Sequence, residues 1–365
     1  MKRVLIVNTA TTSKSNGISN IMLAYAKSVS DEYEADLFIA GRLVDEDLKD
    51  IRKAFRKVFR FKRSRVRNPL RYMRALTALI KNNGYDIIHV HGNSATMYLE
   101  IHTAKKCGIE VRVCHCHSTS CKYKAAHYLL KKPLNKELTA ALACSQAAGR
   151  WLFTWDFNVL KNGIESENFL FDAVQRAAYR KELGLENCFV IGHVGYLSDE
   201  KNQMFLLSLA KELTAQAKDI RLLLIGDGAL RDQLEAEIRN SGLQNNVLML
   251  GRRNDAAKLY SCMDLFVFPS KFEGFGLALI EAQTCGLRCI SSDRVPEDTG
   301  ISSEISYLPL ENRDEWIKEI LDAYRNRGSS DRAAESRLSR QRLIAEGYDV
   351  KCSREFLADV YEGKY

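Results

Sequence analysis

The stretch FPSKFEGFGLALIEAQTCG, Phe268–Gly286, decides how this chain reads. A β-prone apolar run, Leu265–Phe268, stops at Pro269; a loop with glycines carries Glu273, and a segment of helical pattern carries Glu281. Proline cannot continue a strand ladder, and Gly274 and Gly276 let the backbone come close to a ligand. The start of the following helix presents unbonded N–H groups and the positive end of its dipole. Such an anion site flanked by two carboxylates suits a sugar nucleotide, with amides for its phosphates and carboxylates for its hydroxyls.

Outward from this stretch, short apolar runs alternate with helical patterns: Val4–Val7, Asp86–Val90, Val111–Cys114, Ala140–Cys144, Phe189–Val194, Arg221–Ile225, Asn246–Leu250 and Leu265–Phe268. Strands alternating with helices predict an α/β chain with parallel sheets wound on both faces. Two such sets separate near KNGIESENF, Lys161–Phe169, which predicts one Rossmann-like domain over 1–160 and a second over 161–345. Residues 346–365 have helical spacing and are expected to cross back to the first domain. Two doubly wound domains imply a cleft, with ligands at the C-terminal ends of strands.

Composition sets bounds. The 365 residues are 46% hydrophobic and 27% charged with five prolines, a globular profile. No 18-residue apolar run predicts a membrane span, and Val4–Val7 is too short for a signal-peptide core, so a cytoplasmic protein is expected. The ten cysteines then read as free thiols. Cys114, Cys116 and Cys121, interleaved with His115 and His117, lack a second ligand pair at zinc spacing, which leaves zinc there as the lesser alternative.

Charge is uneven. Residues 1–160 carry 27 Lys/Arg against 13 Asp/Glu, whereas the remainder carries 27 against 33. Twelve of the basic residues lie between Lys49 and Arg74, where Asp50 is the lone acid. In this segment, 48–74, Leu48, Ile51, Phe55, Val58 and Phe59 fall at helical spacing. A basic amphipathic helix facing an anionic membrane surface is expected, a solvated helix being the alternative. Nucleic acid is not expected as a partner, because no reader motif accompanies the stripe.

The strand-end loops carry further candidates. GYLSDEKN follows Val194 and puts Lys201 at a helix start, as a phosphate partner or a plain surface lysine. LLLIGDGAL ends in Gly226-Asp227-Gly228, which a simple strand-to-helix turn explains equally well. Asp45-Glu46-Asp47 has the spacing of a metal-binding D-x-D but reads as helix N-terminal charge. Eight residues of helix would set Glu273 and Glu281 about 12 Å apart and point them about 80° away from each other. That separation favours gripping two ends of a donor over the paired carboxyls of a glycosidase, roughly 5–9 Å apart.

HVGYLSDEKN, LLLIGDGAL, VLMLGRRNDAAKLYSCMDLFVFPS and FEGFGLALIEAQTCGL, in this order and spacing, resemble the donor domain of group 1 retaining glycosyltransferases of GT-B fold. The likeness is strongest to the enzymes of exopolysaccharide and capsule biosynthesis. It runs from Lys161 to about Val295, with looser similarity in YDIIHVHG and VRVCHCHS.

The resemblance implies that Glu281 bonds the nucleotide ribose and that Glu273 contacts the donor sugar. It places the amides of Phe275, Gly276 and Leu277 near sugar and phosphate, beside Gly195, and gives Lys201 the diphosphate charge. It also implies a histidine near the reacting sugar, mapped to His117, with His115 close behind it on the acceptor side; His91, with His89, is expected to face the acceptor. Gly17, in a reduced glycine loop Asn16-Gly17, would approach the donor. Where the family has arginine two residues past the strand, this chain has Tyr196, so either Arg252 or Arg253 substitutes, or the diphosphate is held less tightly, or the donor differs.

Together these readings imply transfer from a nucleotide-sugar, expected to be a UDP-sugar, to a polyprenyl-diphosphate-linked glycan, with no cofactor and no metal. The alternatives are a UDP-sugar epimerase of the same fold and a non-catalytic partner subunit of another transferase.

Overall fold

The computed structural model describes residues 1–12, 17–44, 48–161, 163–273 and 275–365. They form two compact units, Met1–Ile164 with Gly347–Tyr365, and Glu165–Glu346. The first contains strands β1 (Lys2–Asn8), β2 (Tyr33–Ile39), β3 (Lys57–Arg60), β4 (Ile87–Gly92), β5 (Val111–Cys116), β6 (Ala140–Ala143) and β7 (Asn158–Val159). All pair in parallel, in the order β3-β2-β1-β4-β5-β6-β7. The second contains β8 (Phe189–Val194), β9 (Ile220–Ile225), β10 (Val247–Gly251), β11 (Leu265–Phe268), β12 (Arg288–Ser292) and β13 (Ile305–Leu308). Their order is β10-β9-β8-β11-β12-β13, again parallel. Each sheet winds outward in both directions from a reversal point, β1/β4 in one unit and β8/β11 in the other. The predicted α/β class with two Rossmann-like sheets is what the chain forms.

The strands are near-continuous apolar runs because both faces of each sheet are covered. In the second unit, Leu222 and Leu224 of β9 meet Leu206, Leu213 and Trp316 on one side, while Leu223 and Ile225 meet Tyr260 and Leu279 on the other. Trp316 is fully buried and its indole N–H donates to Pro309 O at 2.9 Å, so its large apolar area leaves no polar group unsatisfied. Burying each such side chain contributes about 1.5–3 kcal/mol. Asp264 ties the strand entrances together: Arg176 and Arg180 both bond its carboxylate, which also accepts Val190 N–H at 2.7 Å.

The basic segment departs from expectation. It is not one amphipathic helix. Leu48–Ile51 makes a single helical turn, Lys57–Arg60 joins the sheet as edge strand β3, and a helix follows over Pro69–Asn83. The cause is a long-range ion pair. Arg56 grips the fully buried Asp36 of β2 through Nε at 3.0 Å and Nη2 at 2.6 Å, and Tyr85 OH donates to the same carboxylate at 2.7 Å. That attachment draws the following residues into register with β2. Arg65 is likewise buried, bonding Glu100 at 3.0 Å and Thr96 O at 2.9 Å. Arg56 and Arg65 are thus structural.

The chain's final helix, Cys352–Tyr361, packs within the first unit. Tyr33 OH donates to Glu362 at 3.0 Å, and Ile164 and Asp349 form a parallel bridge between the two chain segments that lead to the second unit.

Candidate functional site

The loops after β8 and β11 meet at the reversal point of the second sheet, where open parallel sheets present a crevice at their carboxyl ends. Two hydrogen bonds lace them: Lys271 N–H donates to Glu200 O at 2.7 Å, and the Asn202 side chain donates through Nδ2 to Pro269 O at 3.2 Å. Between these ties, Lys201 Nζ donates to the Glu273 carboxylate. The ammonium also lies 5.2 Å from the Phe268 ring centre, within reach of a cation–π attraction. Lys201 does not open the helix. It sits in the turn just before it, and Asn202, at φ 57°, makes a left-handed link to the Gln203–Gln216 helix.

Glu273 precedes its helix too. The helix runs Leu277–Thr284 behind Gly276, whose φ of 83° suits glycine, and no side chain caps it. The helical spacing argument for the two carboxylates therefore fails, because Glu273 lies in the loop. Different partners keep them apart instead. Glu281 accepts the Tyr260 hydroxyl at 2.7 Å, and Tyr260 is fully buried. Burial pushes the Glu281 carboxyl above its usual range, and the tyrosine bond pulls partly the other way. Glu281 keeps some exposed surface, but its carboxyl end is enclosed. Leu277, first in the helix, and Ala278 offer N–H groups that no turn of helix can satisfy. Phe275 lies beside them, and Gly274 lies outside the described residues.

The Gly226-Asp227-Gly228 turn is more than a turn. A Cβ on Gly226, at φ 145°, would meet Gly195 O at 1.8 Å, and one on Gly228 would meet Leu197 O at 2.4 Å. The glycines bring the loop after β9 directly onto the loop after β8. Tyr196, on that loop, is 47% exposed, and its carbonyl accepts from Gln203 Nε2 at 3.0 Å. Gln203 Nε2 also approaches His193 Nε2 at 3.2 Å, while His193 Nδ1 lies 3.0 Å from Val267 O. With a carbonyl at Nδ1, the proton belongs on that nitrogen and Nε2 accepts. Burial pulls His193 down to about 4, so the ring is neutral.

Of the two candidate arginines, Arg253 is committed elsewhere: it bonds Asp255 at 2.8 and 2.7 Å, holding that carboxyl well below its usual range. Arg252 follows the end of β10.

In the first unit, strand alternation puts His89 and His91 of β4 on one sheet face with His115 of β5, and His117 follows the strand end. His91 Nδ1 lies 3.0 Å from His117 Nε2, and His89 Nδ1 lies 2.8 Å from Tyr361 OH. The rings of His89 and His91 stack 4.2 Å apart, as do those of His115 and His117. Burial holds all four imidazoles neutral, far below their ordinary range.

This changes the roles expected for two of them. His91 and His115 are fully buried and present no atom to an acceptor. His117 retains some surface, with His91 behind it. Cys114 and Cys116 point to the opposite sheet face, where Cys114 packs on Met97, so they do not form a cluster with these histidines. Gly17 begins the Gly17–Ser28 helix, while residues 13–16, with Asn16, and Asp45, Glu46 and Asp47 lie outside the described residues.

Sequence reading missed Tyr260 and the His193–Gln203 relay. Tyr260 lies 21 positions from Glu281, inside the quoted LYSCMD motif, and nothing in the local pattern links the two.

Comparison with known proteins agrees with this layout. The model for group 1 glycosyl transferases matches residues 175–336, and that for glycosyltransferase family 4 matches residues 15–168. The chain is 32% identical over 310 residues to the glycosyltransferase EpsF of Bacillus subtilis (strain 168), covering 80% of this chain and 79% of that protein. It is 29% identical over 256 residues to the UDP-Gal:alpha-D-GlcNAc-diphosphoundecaprenol alpha-1,3-galactosyltransferase of Escherichia coli, covering 66% of each. In fold it is similar to Anabaena HepE, solved in complex with UDP, with a TM-score of 0.77 at 19% identity over 99% of this chain and 100% of that one. These two domain matches and the Bacillus subtilis relative, matched over about four-fifths of each chain, establish that the chain belongs to the group 1 glycosyltransferases and is an enzyme of GT-B fold.

Proposed function

We propose that this glycosyltransferase moves a sugar from a UDP-sugar to a polyprenyl-diphosphate-linked glycan, with retention of anomeric configuration and without a catalytic metal. The observation that carries the reading is the Lys201–Glu273 pair at the β8/β11 reversal, beside the uncapped Leu277–Thr284 helix. In this reading Lys201 leaves the carboxylate and meets the diphosphate, whose charge grows as the glycosidic bond breaks. Preorganised positive charge at a leaving group lowers the barrier. The freed Glu273 then bonds hydroxyls of the donor sugar, and Glu281 bonds the ribose. Lysine, the helix N-terminus and Arg252 supply the positive charge that a metal gives other transferases. The E. coli relative is named for a UDP-sugar donor and an undecaprenol-linked acceptor, which supports both substrate classes.

The acceptor class also requires access to a membrane. No described helix is long and apolar enough to cross one. In this reading the first unit instead rests on an anionic surface through 48–74. Lys62, Arg63, Arg67, Arg71 and Arg74 are exposed there, and Leu70, 72% exposed, stands among the last of them.

The test is a transfer assay with UDP-, GDP- and ADP-sugars and an undecaprenyl-diphosphate-linked sugar in vesicles, with product anomers assigned by NMR. A UDP-sugar should be used without added Mg²⁺ or Mn²⁺, and the product should keep the donor's configuration. Epimerised donor in the absence of acceptor, inverted product or an absolute need for added cation would each overturn the corresponding part.

A further inference from the structure

His89, His91 and His115 have more nitrogens than partners. A ring nitrogen from each lies within 4.8 Å of those of the other two, and all three side chains are fully buried. His89 Nε2, His91 Nε2 and both nitrogens of His115 have no hydrogen-bond partner. A neutral imidazole carries one N–H and one lone pair. Leaving such groups unpaired inside a protein is strongly disfavoured, so four at one spot call for an occupant. The remaining nitrogens are already held: His89 Nδ1 by Tyr361 OH, and His91 Nδ1 by His117 Nε2. For His89 and His91 that is the arrangement of metal-ligating histidines, whose outer nitrogen is fixed by a second group while the inner one is left for the metal.

We propose that His89, His91 and His115 form a zinc site inside the first unit. Three neutral imidazoles with an open fourth position for water suit zinc, and they do not suit Mg²⁺ or Ca²⁺, which take oxygen ligands. Zinc–nitrogen bonds of roughly 2.0–2.1 Å need the ligand atoms closer together than 4.8 Å, so the rings turn inward on binding. Water at the fourth position loses a proton readily on zinc, which lowers the buried charge. The ion would pin β4 to β5 beneath the Gly17–Ser28 and Cys352–Tyr361 helices, whose Tyr25 stacks on His115 and Tyr361 bonds His89. Through His91 it would also fix the ring of His117. This site is separate from the donor loops, and its tests do not depend on transfer activity.

The experiment uses the untagged full-length chain, purified without chelator and analysed for metal by mass spectrometry. It is then stripped and titrated with ZnCl₂ while thermal unfolding is followed, with CoCl₂ as a spectroscopic probe of coordination. Stoichiometric zinc, a rise in Tm with zinc and an intense tetrahedral cobalt spectrum are expected. His115→Gln should abolish all three. Tyr361→Phe, which keeps the ligands and removes the outer hydrogen bond, should weaken zinc binding about tenfold or more. A wild-type chain that holds no zinc and shows no Tm response overturns the site. So does a His115→Gln or Tyr361→Phe chain that binds zinc as tightly as wild type, since the ion would then lie elsewhere.

Discussion

Lys201 and Glu273 close an ion pair between two loops 72 positions apart in sequence, at the point where the second sheet reverses direction. Both side chains are largely buried, 23% and 9% exposed, so neither charge is fully offset by water. Each is the other's counterion until a ligand arrives. Replacing Lys201 with Ala should cut turnover by roughly 10²–10³-fold, the scale of losing one preorganised charge at a reacting group. Glu273→Gln should behave differently. It releases the ammonium, so UDP affinity by calorimetry should hold or rise while turnover falls. Weakened UDP binding in Glu273→Gln would show that the carboxylate serves the nucleotide rather than the sugar.

Glu281 predicts a trade between stability and binding. Its carboxyl is raised by burial, so the fold favours the protonated form. The contribution to stability is full below the unfolded value and is lost as pH rises through the raised folded value. Glu281→Gln removes that loss and still accepts the Tyr260 hydroxyl. At neutral pH the variant should be more stable, by about 1.4 kcal/mol for each unit of elevation, while nucleotide affinity drops. Thermal unfolding between pH 4 and 8 checks the first part and calorimetry the second; equal pH profiles for the two proteins would refute it.

The legibility of the sequence divides along physical lines. The central strands could be read because burial on both faces demands apolar runs such as Leu222–Ile225 and Leu265–Phe268. Helix starts after glycine could be read for the same reason: their chemistry is local. Edge strand β3 could not, since KVFR is half polar and is brought into the sheet by Arg56 reaching back 20 residues to Asp36. The candidate site follows the same rule. Lys201, Glu273 and Glu281 each carry a motif, but that Lys201 holds Glu273 and that Tyr260 holds Glu281 depends on which loops the fold brings together.

His193 is buried and neutral, with its pKa pulled down from 6.5 to about 4. The unfolded chain takes up that proton first as pH falls, so the ring's contribution to stability is full above the unfolded value and shrinks as pH drops toward the folded one. The loss amounts to on the order of 3 kcal/mol. His193→Gln should be less stable than wild type at pH 7, through the broken Val267 contact. Its denaturation free energy should depend less steeply on pH between 6.5 and 4, by up to about 1.4 kcal/mol per pH unit. Parallel pH profiles for the two proteins would contradict the neutral-ring assignment.

The basic surface separates into two classes of arginine. Charge reversal at Lys62, Arg63, Arg67, Arg71 and Arg74 should leave Tm nearly unchanged and release the chain from phosphatidylglycerol vesicles, each charge contributing about 1 kcal/mol. Reversal at Arg56 or Arg65 should instead lower Tm sharply, because each would leave a buried carboxylate, Asp36 or Glu100, facing another negative charge. Co-sedimentation that survives the five-fold reversal would remove 48–74 as the membrane surface.

The contact of Gly226 with Gly195 O bears on how this chain can be altered. With the backbones of the two loops touching, neither can be lengthened, swapped or decorated alone. A change of length or course in one loop forces a matching change in the other, so an engineer replacing either would have to transplant residues 195–197 and 226–228 together.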